Sequence, residues 1–267
     1  MTAINPAKLK IQTAELGEII DQANQFIVRL HELLGYYSAR IRQTSLSRIP
    51  LKLQTYQVPD PVIQALEIEI SERLEEDPEA GYPLVDALWE ESWVEFRQLA
   101  VHVLGILPPD EPTRILSRIQ TWLKTCSSED IRRLVMIEGM TRLASEGADH
   151  CLLFIKELIS SGLKGNHQAA LFGLELFATD PSYPNLPVLF RYLSKILLEE
   201  ESGLTKEINA LLRILAARSE QETTYFLVKQ LDTAYKPRII RVVRQVMNLL
   251  SQDNQDLLRE KMEPIVN

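Results

Sequence analysis

Apolar residues recur with a period near 3.6 along almost the whole chain, and this feature constrains the fold more than any other. The periodic segments are about 12–18 residues long and are separated by short stretches containing Pro, Gly, Ser, Asn or Asp. A second face of each segment is also partly apolar, which is typical of a helix packed between neighbours. The pattern predicts an all-α protein. The clearest segments are Trp93–Leu107, Ile131–Ala144, Gln168–Ala178, Glu207–Ala217 and Arg238–Leu250.

A second set of helical segments alternates with the first, which indicates a repeat of two helices. Equivalent core positions in the first set lie roughly 31–40 residues apart, a spacing typical of HEAT or armadillo repeats. We therefore predict a right-handed α-α superhelix of stacked antiparallel helix pairs, whose inner helices line a concave surface. The equivalent positions are Leu99, Leu134, Leu171, Leu211 and Val242, and the outer helices are Thr113–Thr125, His150–Ser161, Leu186–Glu199 and Thr223–Thr233.

One domain over residues 1–267 is expected, because the periodic pattern continues without a long linker. Residues 1–60 are predicted to form an N-terminal helical cap, with one long helix from about Ala14 to Leu34 and an extended stretch before Pro61. Residues 61–252 are predicted to hold the repeats, and residues 253–267 a C-terminal cap helix.

The charge distribution limits the kinds of partner. The formal net charge is −8, which disfavours indiscriminate coating of nucleic acid, because such binding depends on neutralising phosphates. Residues 67–201 carry 12 basic and 24 acidic side chains, whereas residues 1–66 and 202–267 are each mildly basic. The sequence shows neither an apolar run of about 18 residues nor a signal-peptide core, so we expect no membrane association and a cytoplasmic location.

Motifs for common catalytic and cofactor chemistries are missing from the sequence. It contains no GxSxG nucleophile motif and no GxxxxGK[ST] or GxGxxG phosphate loop. Cys126 and Cys151 have no CxxC spacing, and the pair His31 and Glu32 lacks a second histidine one turn later. A partly buried, hydrogen-bonded imidazole is expected for His102. The sequence therefore implies no cofactor and no metal.

Two motifs carry a resemblance to a known family. Leu53–Pro61 reads LQTYQVPDP and leads into a helix, and Leu88–Ala100 reads LWEESWVEFRQLA. Together they resemble the AlkD-like DNA alkylation repair family, with its "YGV–P" stretch and "LW…E-x-R-x-x-A" helix. The resemblance implies a single array of HEAT-like repeats that grips duplex DNA in a concave groove, and catalytic members excise positively charged alkylated bases. Glu95 and Arg97 also have a structural interpretation, as a first-turn acid and a bridge between repeats.

The chain departs from the catalytic members of that family. They carry a Trp-Asp-x-x-Asp cluster on the next inner helix, where this sequence reads CSSEDIRRL over Cys126–Leu134. Asp130 matches the first carboxylate of the cluster, and Arg133 then stands where the second belongs, which reverses the charge offered to a cationic base. The aromatic and paired arginines expected next are replaced by Gly165–Ala170. Asp130 and Glu129 remain as candidate catalytic carboxylates.

Three basic clusters are candidate contacts to DNA phosphates. In the third cluster, arginines three residues apart share one face of a helix whose other face is apolar. The alternative is a solvated face that pairs with acids of neighbouring repeats. The clusters are Arg40, Arg42, Arg48 and Lys52; Arg132 and Arg133; and Lys236, Arg238, Arg241 and Arg244.

Three functions therefore stay open. The first is binding of double-stranded DNA without clear glycosylase chemistry. The second is a scaffold that captures a protein or peptide, with the acidic middle selecting a basic partner. The third is excision of alkylated bases by Asp130 or Glu129.

Overall fold

The computed structural model describes residues 4–38, 53–126, 128–199, 203–232 and 236–266. These residues are predominantly α-helical, and they form no strand beyond an isolated bridge between Gln54 and Trp93. The predicted all-α class is therefore confirmed. None of the helices in these ranges has the length and apolar character needed to span a bilayer.

The helices follow the predicted segments closely. Helix α11 has the predicted bounds, and the other matching helices differ from prediction by a few residues at their ends. The helices are α1 (Pro6–Gly17), α2 (Ala23–Ser38), α3 (Asp60–Glu76), α4 (Gly81–Glu90), α5 (Val94–Ile106), α6 (Pro112–Thr125), α7 (Glu129–Ile137), α8 (Thr141–Glu146), α9 (Ala148–Ser160), α10 (Lys164–Thr179), α11 (Leu186–Glu199), α12 (Thr205–Arg218), α13 (Glu220–Leu231), α14 (Lys236–Val246) and α15 (Gln252–Val266).

Local chemistry explains where several helices begin. Asn5 Oδ1 accepts hydrogen bonds from the amides of Ala7 and Lys8 at 3.1 and 3.2 Å at the start of α1. Ser128 and Ser219 cap α7 and α13 in the same way. These side chains satisfy first-turn amides that have no partner within their own helix. Helix starts are therefore set by residues close in sequence.

The chain divides into two compact units, residues 1–147 and 148–267. In the first unit, α1, α3, α5 and α7 pack in succession, and α2 packs on α4. Trp89 of α4 and Trp122 of α6 stack, so α6 lies beside α4. In the second unit, α10, α12 and α14 pack in succession, while α9 packs on α11, α11 contacts α13 through Phe190 and Phe226, and α13 packs on α15. Each unit thus alternates helices between two layers. The single array over residues 1–267 and its superhelical hand remain predictions.

Polar contacts between neighbouring repeats join residues whose separation in sequence is close to the predicted repeat length. In the first unit, Arg118 and Asp86 form an ion pair at 2.6 Å across 32 residues. In the second unit, Gln168 donates to Glu207 at 2.6 Å across 39 residues, and Arg218 donates to the carbonyl of Phe177 at 3.0 Å across 41. These separations agree with the repeat of roughly 31–40 residues expected from the apolar pattern.

Two predicted helices are each divided in the structure. The predicted helix from Ala14 to Leu34 is interrupted at residues 18–22, because α1 packs on α3 whereas α2 packs on α4. The predicted segment Ile131–Ala144 is divided into α7 and α8 around Gly139. A Cβ on Gly105 of α5 would overlap the carbonyl oxygen of Glu138, so the backbone of the break lies directly against α5.

One predicted core position is wrong. Leu134 is only half-buried, whereas its predicted equivalents Leu99, Leu171, Leu211 and Val242 are buried. Val135 and Met136 fill the core at α7 instead. Helix α7 ends at Ile137, where the backbone of Glu138 approaches Gly105, rather than continuing to Ala144.

Candidate nucleic-acid interface

The extended stretch after residue 52 is fixed by a buried carboxylate of the family-like motif. Glu95 is 4% exposed, and its Oε1 accepts from the Thr55 hydroxyl at 2.8 Å and from the Gln57 amide at 2.8 Å. Gln57 has a positive φ of 53°, a conformation that a side-chain-bearing residue adopts at some cost. Backbone hydrogen bonds of 2.8 Å join Gln54 to Ser92 and Val94. Glu95 therefore anchors the stretch to the start of α5.

An aromatic cluster surrounds His31 beside this anchor. Tyr56 and Trp93 stack with centroids 4.0 Å apart, and the His31 ring lies 4.4 Å from that of Phe96. His31 Nδ1 is 2.8 Å from the Tyr56 hydroxyl, and its Nε2 is 3.3 Å from Oε2 of Glu91. Because a carboxylate accepts only, Nε2 carries a proton, and a neutral ring then accepts from Tyr56 at Nδ1. The partners of His31 identify it as a structural histidine. No group of metal-ligating side chains occurs in the described ranges.

Trp89 is covered on both faces by its neighbours. The Arg97 guanidinium lies 4.1 Å above the ring centroid, and the Trp122 ring stacks at 4.0 Å and 10°. Two groups each about 4 Å from one ring must occupy opposite faces. Burial lowers the pKa of Arg97, yet arginine remains charged in proteins. Trp89 thus offers no open face to a base.

A small cavity of about 210 Å³ opens beside this stack, at the start of α7. Arg97 lines the cavity wall, where it forms no ion pair within the ranges that the structure describes and Glu91 is a nearby acid. Burial also raises the pKa of the Cys126 thiol, which makes it a poor nucleophile. The cavity is lined by Leu53, Trp89, Arg97, Thr125, Cys126, Ser128 and Ile131.

The predicted carboxylates lie outside this cavity. Glu129 and Asp130 are exposed in the first turn of α7, where acids oppose the positive end of the helix dipole. Arg132 is half-buried and donates to the carbonyl of Cys126 at 2.8 Å, while Arg133 is exposed. The structure therefore brings Arg97 and Arg132 near the cavity and leaves the two carboxylates in solvent.

Sequence reasoning missed a cluster of one histidine and two acids, His102, Glu67 and Glu138. His102 is half-buried with Nε2 3.0 Å from the Ser71 hydroxyl, so the expected hydrogen-bonded imidazole is confirmed. Burial lowers the pKa of His102, and burial raises the pKa of Glu67 and of Glu138. These side chains come from three successive helical repeats, so no motif within a short stretch of sequence predicts that they lie close together.

Arg241 and Arg244 of the third basic cluster lie together on one face of α14. Arg241 and Arg244 are exposed, and in the described parts of the chain neither forms an ion pair. The opposite face of the helix is core: Ile239, Val242, Val243 and Val246 are buried, as is Leu250 beyond the end of the helix. We call Arg241 and Arg244 the α14 ridge. The side chains of Lys236 and Arg238 lie outside the described atoms, as do Arg40, Arg42, Arg48 and Lys52 of the first cluster.

Sequence reasoning missed Arg213 on the neighbouring helix. Arg213 is exposed on α12, which packs against α14. Asn209, one turn before it, donates to Gln245 of α14, so the polar sides of the two helices adjoin. An isolated arginine in EINALLRILAA carries no motif, and only the packing of α12 on α14 places it beside the ridge.

Comparison with known proteins identifies the family but not a near relative. No curated protein and no solved structure matches the chain. The sequence model of the family described as DNA alkylation repair enzyme matches residues 42–242, three quarters of the chain and including both family-like motifs. The chain therefore belongs to the DNA alkylation repair enzyme family.

Proposed function

We propose that the protein binds double-stranded DNA, with the α14 ridge as a phosphate contact and without a glycosylase centre built on Asp130 or Glu129. The observation that carries this proposal is the ridge itself. Two arginines point to solvent from a helix whose other face is core, and in the described ranges no acid neutralises them. Exposed, unpaired guanidinium groups are suited to phosphate oxygens, which they bind with two parallel hydrogen bonds.

The net charge of −8 is compatible with this proposal because the charge is unevenly distributed. Residues 202–267 carry 10 basic and 8 acidic side chains, and Arg213 adds a third exposed guanidinium beside the ridge. A local basic surface on an acidic protein directs a polyanion to one place and repels it elsewhere. Binding is therefore expected to be local and salt-dependent.

The start of α7 is proposed as a second phosphate contact, in the first unit. Arg97 supplies a charge at the wall of the small cavity, and Arg133 is exposed nearby on the same helix as Arg132. The first-turn amides of a helix favour an anion, and a basic side chain close by strengthens that preference. Glu129 and Asp130 in the same turn oppose it, so this contact is weaker than the α14 ridge.

Base excision is disfavoured by the surroundings of Trp89 and by the two carboxylates. A cationic base needs an aromatic face or a desolvated carboxylate, because both gain strength away from water. Arg97 and Trp122 occupy both faces of Trp89, and Asp130 and Glu129 are solvated. Release of a methylated purine from DNA that disappears in Asp130→Asn would restore the catalytic alternative.

Fluorescence anisotropy with a labelled duplex tests the DNA proposal. At about 50 mM salt we expect a dissociation constant tighter than ~10⁻⁴ M, the weak limit of non-specific binding. The double variant Arg241→Glu/Arg244→Glu should weaken binding and lower the slope of log K against log salt by about 2, since each phosphate contact contributes ~0.9. Lys261→Glu, an exposed lysine on α15, is the matched control.

Two results would overturn this proposal: affinity weaker than the stated limit, or equal salt slopes for the double variant and the Lys261→Glu control. The scaffold alternative is tested separately by affinity purification from the native host. A stoichiometric basic partner, held by the acidic residues 67–201, would favour that alternative over DNA.

A further inference from the structure

An apolar groove with a basic rim lies between α11 and α13 in the second unit. It encloses about 560 Å³, within the usual size of ligand-binding clefts. Phe190 and Phe226 form its base with ring centroids 5.0 Å apart, and both are largely buried. Tyr225 stands on the α13 wall and is 62% exposed. A large aromatic side chain that remains this exposed beside an apolar cleft is characteristic of an interaction surface.

Positive charge surrounds the groove. Arg191 and Lys195 line it from α11, and Lys229 lines it from α13 with its Nζ 5.1 Å from the Tyr225 ring centre. All three are exposed, and in the part of the chain that the structure describes none forms an ion pair. Glu222 is the acidic side chain among the lining residues. The rim is thus locally positive on a chain whose net charge is −8.

The polar groups on the floor are already paired. Gln230 is 6% exposed, and its Nε2 donates to the Ser194 hydroxyl at 3.1 Å. A ligand therefore gains little from hydrogen bonding at the floor. Recognition must come from an apolar group placed on the phenylalanines and from negative charge at the rim.

We propose that this groove docks a short acidic peptide segment of a partner protein. One large apolar side chain of the segment packs on Phe190 and Phe226 beside Tyr225, and its flanking Asp or Glu side chains meet Arg191, Lys195 and Lys229. This is the helix-in-groove mode of recognition, in which an apolar anchor supplies affinity and charge supplies selectivity. The groove is separate from the α14 ridge, because α11 and α13 belong to the other helix layer.

Single-stranded nucleic acid is the other anionic occupant to consider, and the groove suits it less well. Its recognition requires successive open aromatic faces along a basic track. Here one ring, Tyr225, is exposed, and the rings of Phe190 and Phe226 are buried with their floor enclosed by apolar packing. One anchoring pocket with charges around it matches a side chain better than a row of bases.

Peptide display against the full chain tests the proposal. We expect selected peptides to share one Leu, Phe, Trp or Met flanked by two or more Asp or Glu. Anisotropy with the best labelled peptide should then show roughly tenfold weaker binding for Lys229→Glu and for Tyr225→Ala, the usual loss when one anchoring contact is removed. Both residues are exposed, so these variants should fold, and equal helicity by circular dichroism checks this.

Matched controls separate the groove from charge in general. Lys156→Glu changes an exposed lysine of α9 in the same unit, outside the groove, and should leave peptide affinity within about twofold. Arg241→Glu/Arg244→Glu should also keep it, so failure of the DNA proposal does not decide this one.

Several outcomes would overturn the peptide proposal. Selected peptides without acidic residues would do so, as would equal losses in Lys229→Glu and Lys156→Glu. Oligo-dT binding that Lys229→Glu abolishes while peptide binding persists would assign the groove to nucleic acid. A dimer that Tyr225→Ala dissolves in size-exclusion chromatography would assign it to a second copy of the chain.

Discussion

Replacing Glu95 by alanine decides whether this family-motif carboxylate is structural. Its Oε1 accepts two hydrogen bonds, from the Thr55 hydroxyl and the Gln57 amide, in a site where Glu95 is 4% exposed. Hydrogen bonds to a charged group contribute about 1.5–3 kcal/mol each, so the gross loss is roughly 3–6 kcal/mol.

Two effects make the net loss of stability in Glu95→Ala smaller than this gross value. Oε2 of the same carboxylate is buried without a hydrogen-bond partner in the described ranges, so Glu95→Ala also removes a partly unsatisfied charge. The stretch after residue 52 can open locally instead of unfolding the whole unit, which limits the global loss. We therefore expect a net destabilisation of about 2–4 kcal/mol and a midpoint of thermal unfolding lower by roughly 10 °C.

Circular dichroism and hydrogen exchange provide the assay. In Glu95→Ala the Gln57 amide keeps only the Thr55 hydroxyl oxygen, 3.0 Å away, as an acceptor, so its protection from exchange should fall. Glu95→Gln keeps one acceptor oxygen without the charge and should lose about half as much stability. The matched control is Glu90→Ala, an exposed glutamate at the end of α4, expected to change stability by less than about 0.5 kcal/mol.

A midpoint for Glu95→Ala within about 1 °C of Glu90→Ala would refute the structural interpretation, since roughly 2–4 °C corresponds to one kcal/mol at this chain length. It would mean that the carboxylate is dispensable for the fold, and a role in ligand binding would then be the remaining explanation for its place in the motif.

Two further predictions concern titratable groups. Burial raises the pKa of the Cys151 thiol to about 12, so at pH 8 a thiol reagent should modify native protein only at the half-buried Cys126. Modification of Cys151 should appear only when the protein is unfolded. Equal reaction rates of the two thiols in native protein would contradict this prediction. Because burial raises the pKa of Glu67 in the folded state, the stabilisation from its protonated form is fully present below the unfolded pKa and is lost as pH rises through the folded pKa. Glu67→Gln should therefore raise the free energy of unfolding at pH 8 and leave it unchanged near pH 4, as measured by chemical denaturation at the two pH values; an equal gain at both would argue against this origin.

The helical periodicity predicted the fold class and most helices because it reports which face of each segment is buried. It failed where a contact from a distant repeat changed the local outcome. Helix α7 ends at Ile137 because the backbone at Glu138 lies against Gly105, some 33 residues earlier. Gly139 is a poor helix former within the predicted segment Ile131–Ala144, but an isolated glycine is tolerated inside a helix, so the sequence alone did not require a break there.

In the candidate sites, too, some features were predictable from the sequence and others depended on contacts between distant helices. The α14 ridge was predictable, because its arginines and its core residues share one helix and the 3.6-residue period assigns each to a face. The surroundings of Asp130 were not predictable from the motif: matching the family's carboxylate position says nothing about exposure, which depends on the neighbouring helices. Arg213 belongs to no sequence motif, and it becomes a candidate phosphate contact only because α12 packs against α14.

The sequence by itself determined the all-α class, the two-helix repeat and the family, because helix periodicity and the motifs around Trp89 and Glu95 are encoded within short stretches of chain. Only the tertiary structure decided that Arg97 and Trp122 cover both faces of Trp89, and that Phe190 and Phe226 form one groove. The physical reason is distance along the chain. Side chains about one repeat apart meet only when whole helices pack, and the packing depends on the combined shape of many side chains.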